Sequence, residues 1–197
     1  MKNFSKLLLA FLITISYTNI QSQDNNNPWQ FTFGINAVDL NTGEYFAVDE
    51  NWNVSSGLSM FTISKYLGDN MSLGLVGSVN KISKFADGAE FINDATHFAS
   101  DLMLKYSLSE ALNCEKMEPF VGVGLGKTWM DSSSWMNSNA SLGMNYWFSN
   151  VWGLTAQVDY KLNMSENGRG NTVMLDEGES MRYSLGVSVK FGGEDKQ

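Results

Sequence analysis

The feature that most constrains this chain is a two-residue alternation of apolar and small polar side chains, which recurs from residue 29 to residue 191. Successive side chains of a β-strand point to opposite faces, so this alternation predicts strands with one apolar and one polar face. The pattern is clearest in the segment that begins at residue 152. Its apolar row is Trp152, Leu154, Ala156, Val158, Tyr160 and Leu162, and its polar row is Gly153, Thr155, Gln157, Asp159 and Lys161.

The alternating segments predict eight antiparallel strands and no helix with an apolar stripe. Seven strands are regular, and a less regular one covers about Asn53 to Lys65 in a register that the pattern leaves open. Long polar connections lie near residues 41–52, 83–95, 131–138 and 163–180, and short ones lie at 67–70 and 149–150. This alternation places four long loops at one end of the strands, and the turns and both termini at the other. The stretch 109–117 is long for a turn position.

The N-terminus has the features of a secretory signal peptide. Lys2 and Lys6 precede an apolar run at residues 7–15, and a more polar stretch follows up to Ser22. The run is too short to cross a bilayer core of about 30 Å, which disfavours the alternative of a membrane-anchoring helix. We therefore expect a signal peptide at 1–22, a polar lead-in at 23–28, a β-domain at 29–192 and a tail at 193–197.

Charge and cysteine content exclude other classes. The formal net charge of −8 argues against a nucleic-acid partner, because phosphate contacts need clustered Lys and Arg. A single cysteine, Cys114, excludes a disulfide scaffold and predicts an unpaired thiol.

The direction of the apolar face decides between a soluble barrel, a β-sandwich and a membrane barrel. The polar face is mostly Gly, Ser, Thr, Asn and Gln, so it cannot form the packed apolar interior of a soluble barrel. Aromatic residues sit at the ends of the apolar rows, as Phe98 and Tyr106 do, and the strands reach about ten residues. Both features, with the alternating loop lengths, favour a wall that faces lipid. A sandwich remains the alternative.

A family resemblance is carried by motifs spread along residues 27–193. The chain resembles the N-terminal barrel of OmpA-like outer-membrane proteins in five segments, which are NPWQF through GINAVD (27–39), SKYLG with GSVNKI (64–82), EPFVGVG (118–124), LGMNYWF (142–148) and SLG through KFGG (184–193). The resemblance implies an all-β, eight-stranded, antiparallel up-and-down transmembrane barrel of the OmpA/OmpX type. It also implies the outer membrane of a Gram-negative bacterium, with both termini periplasmic.

The resemblance also suggests partners. The outward row of the last strand resembles the C-terminal signal that barrel assembly machinery reads: Tyr183, Leu185, Val187, Val189 and Phe191. Outer-membrane lipid and lipopolysaccharide would surround the wall, and other outer-membrane proteins are candidate partners. Many family members continue into a periplasmic peptidoglycan-binding domain. The sequence ends at Gln197, so peptidoglycan binding is not carried over.

Charged residues on the polar rows would lie inside the barrel. We expect an interior charge network formed by Asp101, Lys105, Glu118, Asp159, Lys161, Arg182 and Lys190. An eight-stranded barrel has just enough interior for side chains, so a filled lumen is favoured over an ion path or gate. Lys127 conflicts with this scheme because it follows the apolar row of its strand. Either it snorkels to the interface or a bulge resets the register.

Catalytic and metal sites have little support in the sequence, and we expect no enzyme activity and no cofactor. His97 is the only histidine, and alternation places Ser100 on the opposite face from His97 and Asp101, so no triad follows. Two acidic loops could bind a divalent cation, but neither has a calcium-loop pattern and both are interpreted as solvated loops. These loops carry Asp87, Glu90 and Asp94, and Asp176, Glu177 and Glu179.

The sequence thus predicts a non-enzymatic outer-membrane barrel with a structural or interaction role, as an accessory subunit of an envelope complex or a surface-exposed adhesion factor. A small porin-like channel is the first alternative. A lipid-modifying outer-membrane enzyme is the second.

Overall fold

The computed structural model describes residues 26–40, 52–84, 90–114, 116–131, 133–164 and 179–192. The segments assigned above to the signal peptide and the C-terminal tail lie outside these residues. Among the described residues, no helix is long and apolar enough to cross a membrane. The strands are β1 (Trp29–Asp39), β2 (Trp52–Val54), β3 (Met60–Gly68), β4 (Met71–Lys84), β5 (Glu90–Ser107), β6 (Met117–Met130), β7 (Ser133–Trp147), β8 (Trp152–Asn163) and β9 (Glu179–Phe191).

The strands form one closed antiparallel barrel. From β3 onward each strand pairs with the next in the chain, and β9 pairs back onto β1. This seam between β1 and β9 runs from the pair Trp29 and Phe191 to the pair Asp39 and Met181. Closure leaves no long unpaired edge, as a barrel in lipid requires. The predicted eight-stranded up-and-down barrel is confirmed, since β2 and β3 together occupy a single position in the wall.

The break between β2 and β3 explains why the second strand showed no clear alternation. β1 pairs with β3 up to Gly34 and Met60, and with β2 from Ala37 and Val54 onward. Between these pairs β1 has two residues, whereas the facing segment has five (55–59). The extra residues form a bulge that is anchored on β1, where the Ser59 amide donates to the Gly34 carbonyl at 2.9 Å. The bulge shifts the register within the predicted strand 53–65.

The strand registers set the width of the barrel. Following paired residues once around the wall from Phe191 leads back to β9 at Met181, ten residues earlier. With about 3.3 Å per residue and about 4.8 Å between eight strands, this offset corresponds to a strand tilt of about 40°. Such a barrel is narrow, so side chains from opposite walls can meet at its axis.

The two faces of the wall divide as the alternation predicts. Large apolar residues cover the outside, and many are more than half exposed, among them Leu102, Val123, Leu125, Leu142 and Leu185. Polar residues on the alternate positions are buried inside, such as Asn80, Ser188 and Arg182. The outward row of β9 contains all five residues of the expected assembly signal, including Leu185 and Phe191.

Lys127 lies on the outer wall without any reset of the register. The pairing of β5 with β6 is continuous from His97 and Met130 to Ser107 and Phe120. The Lys127 ammonium lies 5.3 Å from the centre of the Trp129 ring. Trp129 in turn packs against Phe98 with ring centroids 5.2 Å apart. Of the two interpretations offered by the sequence, the structure therefore has the lysine reaching along the wall toward an aromatic group.

Two predicted loops are shorter than expected. The predicted loop 131–138 is wrong, because β6 continues to Met130 and β7 begins at Ser133. The predicted loop 83–95 is also too long, since β4 ends at Lys84 and β5 begins at Glu90. The error has a physical cause. In this part of the barrel the inward positions are apolar, as Met130 and Trp135 are, so the expected alternation is inverted.

Candidate functional site

The centre of the barrel interior is occupied by the Asp101 carboxylate, which is fully buried on β5. Lys161 from β8 places its Nζ 2.7 and 2.8 Å from the two carboxylate oxygens. Arg182 from β9 places Nη1 2.8 Å from Oδ2 of the same group. The two cations come from strands across the lumen from β5, so their contacts with Asp101 bridge the interior from wall to wall.

Arg182 also binds a second carboxylate. Its Nε donates to Oδ2 of Asp159 at 3.0 Å, and its Nη1 donates to the Ser78 hydroxyl at 3.1 Å. Asp159 accepts from Gln157 Nε2 at 2.6 Å, and Asp101 accepts from Asn139 Nδ2 at 3.0 Å. Charge-assisted bonds of this kind offset the cost of removing charges from water. The two carboxylates and two cations, Asp101, Asp159, Lys161 and Arg182, are called the central network below.

The end of the barrel at which β1 begins and β9 ends holds a second set of charges: Lys105, Glu118 and Lys190. We call these residues the terminal cluster, and in it Lys105 and Glu118 bind neutral groups. Glu118 accepts from Trp147 Nε1 at 2.8 Å and from Asn145 Nδ2 at 3.1 Å.

The two lysines of this cluster use aromatic rings and an amide. Lys105 donates to Gln157 Oε1 at 2.7 Å and lies 4.4 Å from the centre of the Phe120 ring. Lys190 lies 4.0 Å from the centre of the Trp147 ring. Because Gln157 also binds Asp159, it connects the terminal cluster with the central network.

The opposite end of the lumen is closed by apolar side chains. This apolar cap consists of Val38, Leu40, Ile82, Ala95, Met130 and Trp135, all buried and in mutual contact. A smaller buried apolar group, Met60, Val76 and Met103, lies in the same interior. Desolvated apolar layers of this kind oppose the entry of ions, which would lose their hydration shells there.

A small polar cavity of about 20 Å³ remains between the terminal cluster and the turns. Gln30, Ser72, Lys105, Glu118 and Asn145 are among the residues that line it. The volume suits about one water molecule with several polar partners. It is too small to form a continuous aqueous path.

The structure places all seven interior residues predicted from the sequence inside the barrel. Six of them are buried, with Glu118 at 7% exposed, and Lys105 is partly exposed at the end of the lumen. Four of them form the central network. Lys105 and Glu118 do not form an ion pair within 4.0 Å, although the sequence predicted both as members of one charge network. Each is instead paired with an amide or indole group.

The structure does not bring His97, Ser100 and Asp101 together as a catalytic triad. His97 is buried in the lumen, while Ser100 lies on the outer wall three positions along the strand and pairs with Lys127. Among the described residues, no group of three or more His, Cys, Asp or Glu side chains could hold a metal ion. Asp87, Asp176 and Glu177 of the two acidic loops lie outside the described residues.

Sequence reasoning missed the apolar cap and the neutral partners of the terminal cluster. Trp135 falls in the segment 131–138, which resembled a polar loop, so nothing marked it as an interior residue. Met130 lies just before that segment and continues the inward row of its strand beyond Thr128, which was a usable signal. The role of Trp147 had a visible signal: it lies on the polar row of its strand, opposite Tyr146 and Phe148. A tryptophan at an inward position of a narrow barrel must bury its ring and find an acceptor for its N–H group.

A closed barrel of eight wall positions, apolar outside and polar inside, is an OmpA/OmpX-like transmembrane barrel, the fold of outer-membrane proteins. No protein-family model and no curated protein matches the chain. Solved structures do share its fold. The N-terminal β-barrel domain of OprF from Pseudomonas aeruginosa is 14% identical, with a TM-score of 0.51 over 84% of this chain and 98% of that one.

Two further structures are similar. Neisserial surface protein A is 16% identical, with a TM-score of 0.56 over 83% of this chain and 96% of that one. The outer-membrane protein AlkL, solved in lipid bilayers, is 18% identical, with a TM-score of 0.54 over 92% of this chain and 98% of that one. At these identities the likeness establishes the fold. The predicted resemblance to OmpA-like barrels is confirmed at that level.

Proposed function

We propose that the chain is a non-conducting, non-enzymatic barrel of the outer membrane, exported by its signal peptide, with both termini in the periplasm. It serves a structural or interaction role, as an accessory subunit of an envelope complex or as an adhesion factor. Its working surfaces are the outer wall and the loops, and outer-membrane lipid and lipopolysaccharide surround the wall. Barrel assembly machinery reads the outward row of β9, which ends at Phe191.

The observation that carries the proposal is the position of Asp101. Its carboxylate lies between cations from the opposite wall, with no exposed surface, so the narrowest part of the lumen is filled by bonded side chains. The apolar cap closes one end of the same lumen. An ion crossing this interior would have to break several buried charge pairs, each of which is costly to separate.

A conductance measurement tests the closed lumen directly. The purified chain, incorporated into planar lipid bilayers at neutral pH, is expected to show no stepwise current above the protein-free membrane. The comparison variants are Asp159→Asn and Arg182→Gln, which neutralise one member of the central network. A wild-type current that disappears in either variant would support the small-channel alternative and overturn the proposal.

The enzyme alternative is tested separately. The lipid A fraction of cells with and without the chain is compared by mass spectrometry, and the two are expected to be identical. The opposite faces of His97 and Ser100 support this expectation. A change in acyl chains that depends on His97 would instead favour a lipid-modifying enzyme.

Location is tested on the folded chain. We expect it in the outer-membrane fraction, insoluble without detergent, and with a gel mobility that changes on boiling. Recovery in the soluble fraction, or the same mobility with and without boiling, would contradict the membrane assignment.

A further inference from the structure

The outer wall is not uniformly convex, because an apolar groove of about 360 Å³ lies where β1, β8, β9 and β2 meet. This size is at the lower end of the range for small-ligand sites, about 300 to 1,000 Å³. The side chains that shape it are Ala37, Trp52, Val54, Ala156, Tyr183 and Leu185. We call this site the lateral groove.

Small residues create the lateral groove. Ala37 and Ala156 point outward at positions where neighbouring strands carry large side chains. The missing side-chain volume leaves a depression in an otherwise well-covered wall.

An aromatic pair forms one side of the groove. Trp52 on β2 and Tyr183 on β9 stand on either side of β1, and their rings stack with centroids 4.2 Å apart and an interplanar angle of 22°. The pair lies across β1 near Ala37, which is only 5% exposed although it points outward. The bulge at 55–59 makes this geometry possible, because it sets the register of Trp52 independently of β3.

Two of the residues that line the groove have a polar atom without a hydrogen-bond partner among the described residues, and one of them, Ser184, lies at an inward position of β9. Trp52 Nε1 is buried and has no hydrogen-bond partner among the described residues. Buried indole N–H groups usually have an acceptor, because an unpaired donor away from water is costly. The lining is otherwise almost wholly apolar. A complementary occupant is therefore a flexible apolar chain that carries an acceptor oxygen.

We propose that the lateral groove binds one acyl chain of a surrounding membrane lipid, and that the ester carbonyl of this lipid accepts the hydrogen bond of Trp52 Nε1 when the indole turns toward the groove. This inference rests on the proposed membrane location, because only a wall in contact with lipid meets such chains continuously. It turns part of the outer wall from a general lipid contact into a defined lipid site. The site would fix one lipid beside the seam of the barrel.

The test is photolabelling in a bilayer. The full chain is reconstituted in phosphatidylcholine vesicles that contain phosphatidylethanolamine with a photoreactive diazirine in its acyl chain. After illumination, labelled peptides are mapped by mass spectrometry. Peptides that contain residues 154–158 and 183–185 are expected to carry several-fold more label than those with residues 121–125, on the wall at β6.

Matched substitutions then locate the site. Ala156→Leu fills the groove and is expected to lower its labelling to the level of the rest of the wall. Ala140→Leu makes the same change at an outward, exposed alanine of β7 outside the groove, and is expected to change nothing. Trp52→Phe keeps an aromatic ring but removes the N–H donor, and is expected to lower the groove labelling several-fold. Gel mobility before boiling verifies that each variant is folded.

The outcomes separate the two proposals. Even labelling around the wall, or groove labelling that survives Ala156→Leu, overturns the lipid site and leaves the membrane barrel intact. Groove labelling that is absent while two copies crosslink through this wall also overturns it, in favour of a dimer interface. A chain that does not insert and labels nowhere overturns both proposals.

Discussion

The central network and the terminal cluster bury charges in the same lumen by two different means. In the central network, carboxylates and cations neutralise one another, with two of each sign. In the terminal cluster, Lys105 and Glu118 bind amides, an indole and an aromatic ring. Removing one member of a buried ion pair leaves the opposite charge uncompensated, whereas removing a charge that binds a neutral dipole does not. Neutralising one residue should therefore lower the free energy of unfolding more in the central network than in the terminal cluster.

The largest effect is expected from Asp101→Asn. The substitution leaves Lys161 and Arg182 close together without their shared anion, and breaking a buried pair in this way costs about 3 to 5 kcal/mol. The measurement is the free energy of unfolding by denaturant in detergent micelles, with folded and unfolded forms separated on unheated gels. Adding Lys161→Met should restore much of the loss, because it removes the cation left without a partner. A loss below about 1 kcal/mol would contradict the pairing.

Two lysine substitutions compare the ends of the lumen directly. Lys161→Met removes the cation in contact with both oxygens of Asp101, and should lower the unfolding free energy by about 2 to 3 kcal/mol. Lys105→Met removes a cation bound to Gln157, a neutral amide, and should cost about 1 kcal/mol. The same unfolding measurement applies to both variants. Equal losses of unfolding free energy would mean that an ionic partner and a neutral partner stabilise a buried lysine equally, and would contradict the comparison.

Replacing glycines that lie beside the central network and the terminal cluster compares how rigidly the two sets of side chains are held. A Cβ at Gly126 would overlap the Asp101 carboxylate, which is held by two cations and cannot move aside. A Cβ at Gly122 would meet mainly the hydroxyl of Ser141, which has no hydrogen-bond partner among the described residues and can rotate away. Gly126→Ala should cost about 2 kcal/mol, and Gly122→Ala clearly less. Should Gly122→Ala prove the worse of the two, the rigidity assigned to the central network is wrong.

The smallest effect is expected from Glu118→Gln. The new amide keeps an oxygen that can accept from Trp147 Nε1, so the loss should be about 1 kcal/mol. Glu118→Ala is the matched control, since it leaves the donors of Trp147 and Asn145 without an acceptor and should cost more. The fluorescence of Trp147, obtained as the difference between variants with and without Trp147→Phe, reports on the bond independently of stability because the chain has six tryptophans. If Glu118→Gln lowered the free energy of unfolding more than Glu118→Ala does, the negative charge itself would be shown to stabilise this end of the barrel.

The sequence predicted the wall of this barrel much better than its interior contacts. Alternation depends only on which face a residue occupies, so it identified the inward positions of Asp101, Asp159 and Arg182. It could not predict that Arg182 meets Asp101, because these residues are 81 positions apart and approach only across the closed lumen. Two-residue alternation also misleads where the inward positions are apolar, as at Met130 and Trp135.

The lateral groove was invisible in the sequence for a related reason. Its floor and sides come from strands that are neighbours only because the first and last strands pair. Trp52 reached its place through the bulge at 55–59, and the irregular pattern around that bulge concealed its register. Predicting such a site requires knowledge of the order of the strands, the pairing of β1 with β9 and the position of the bulge.

The seam between β1 and β9 also determines the order in which this molecule can be built. Trp29 lies at the start of the first strand and pairs with Phe191, at the end of the last. Until β9 has been made and has paired with β1, both β1 and β8 have an edge whose backbone groups cannot be hydrated in the interior of a membrane. A stable barrel therefore cannot be built up strand by strand inside a membrane. The segment made last is the one that completes the barrel.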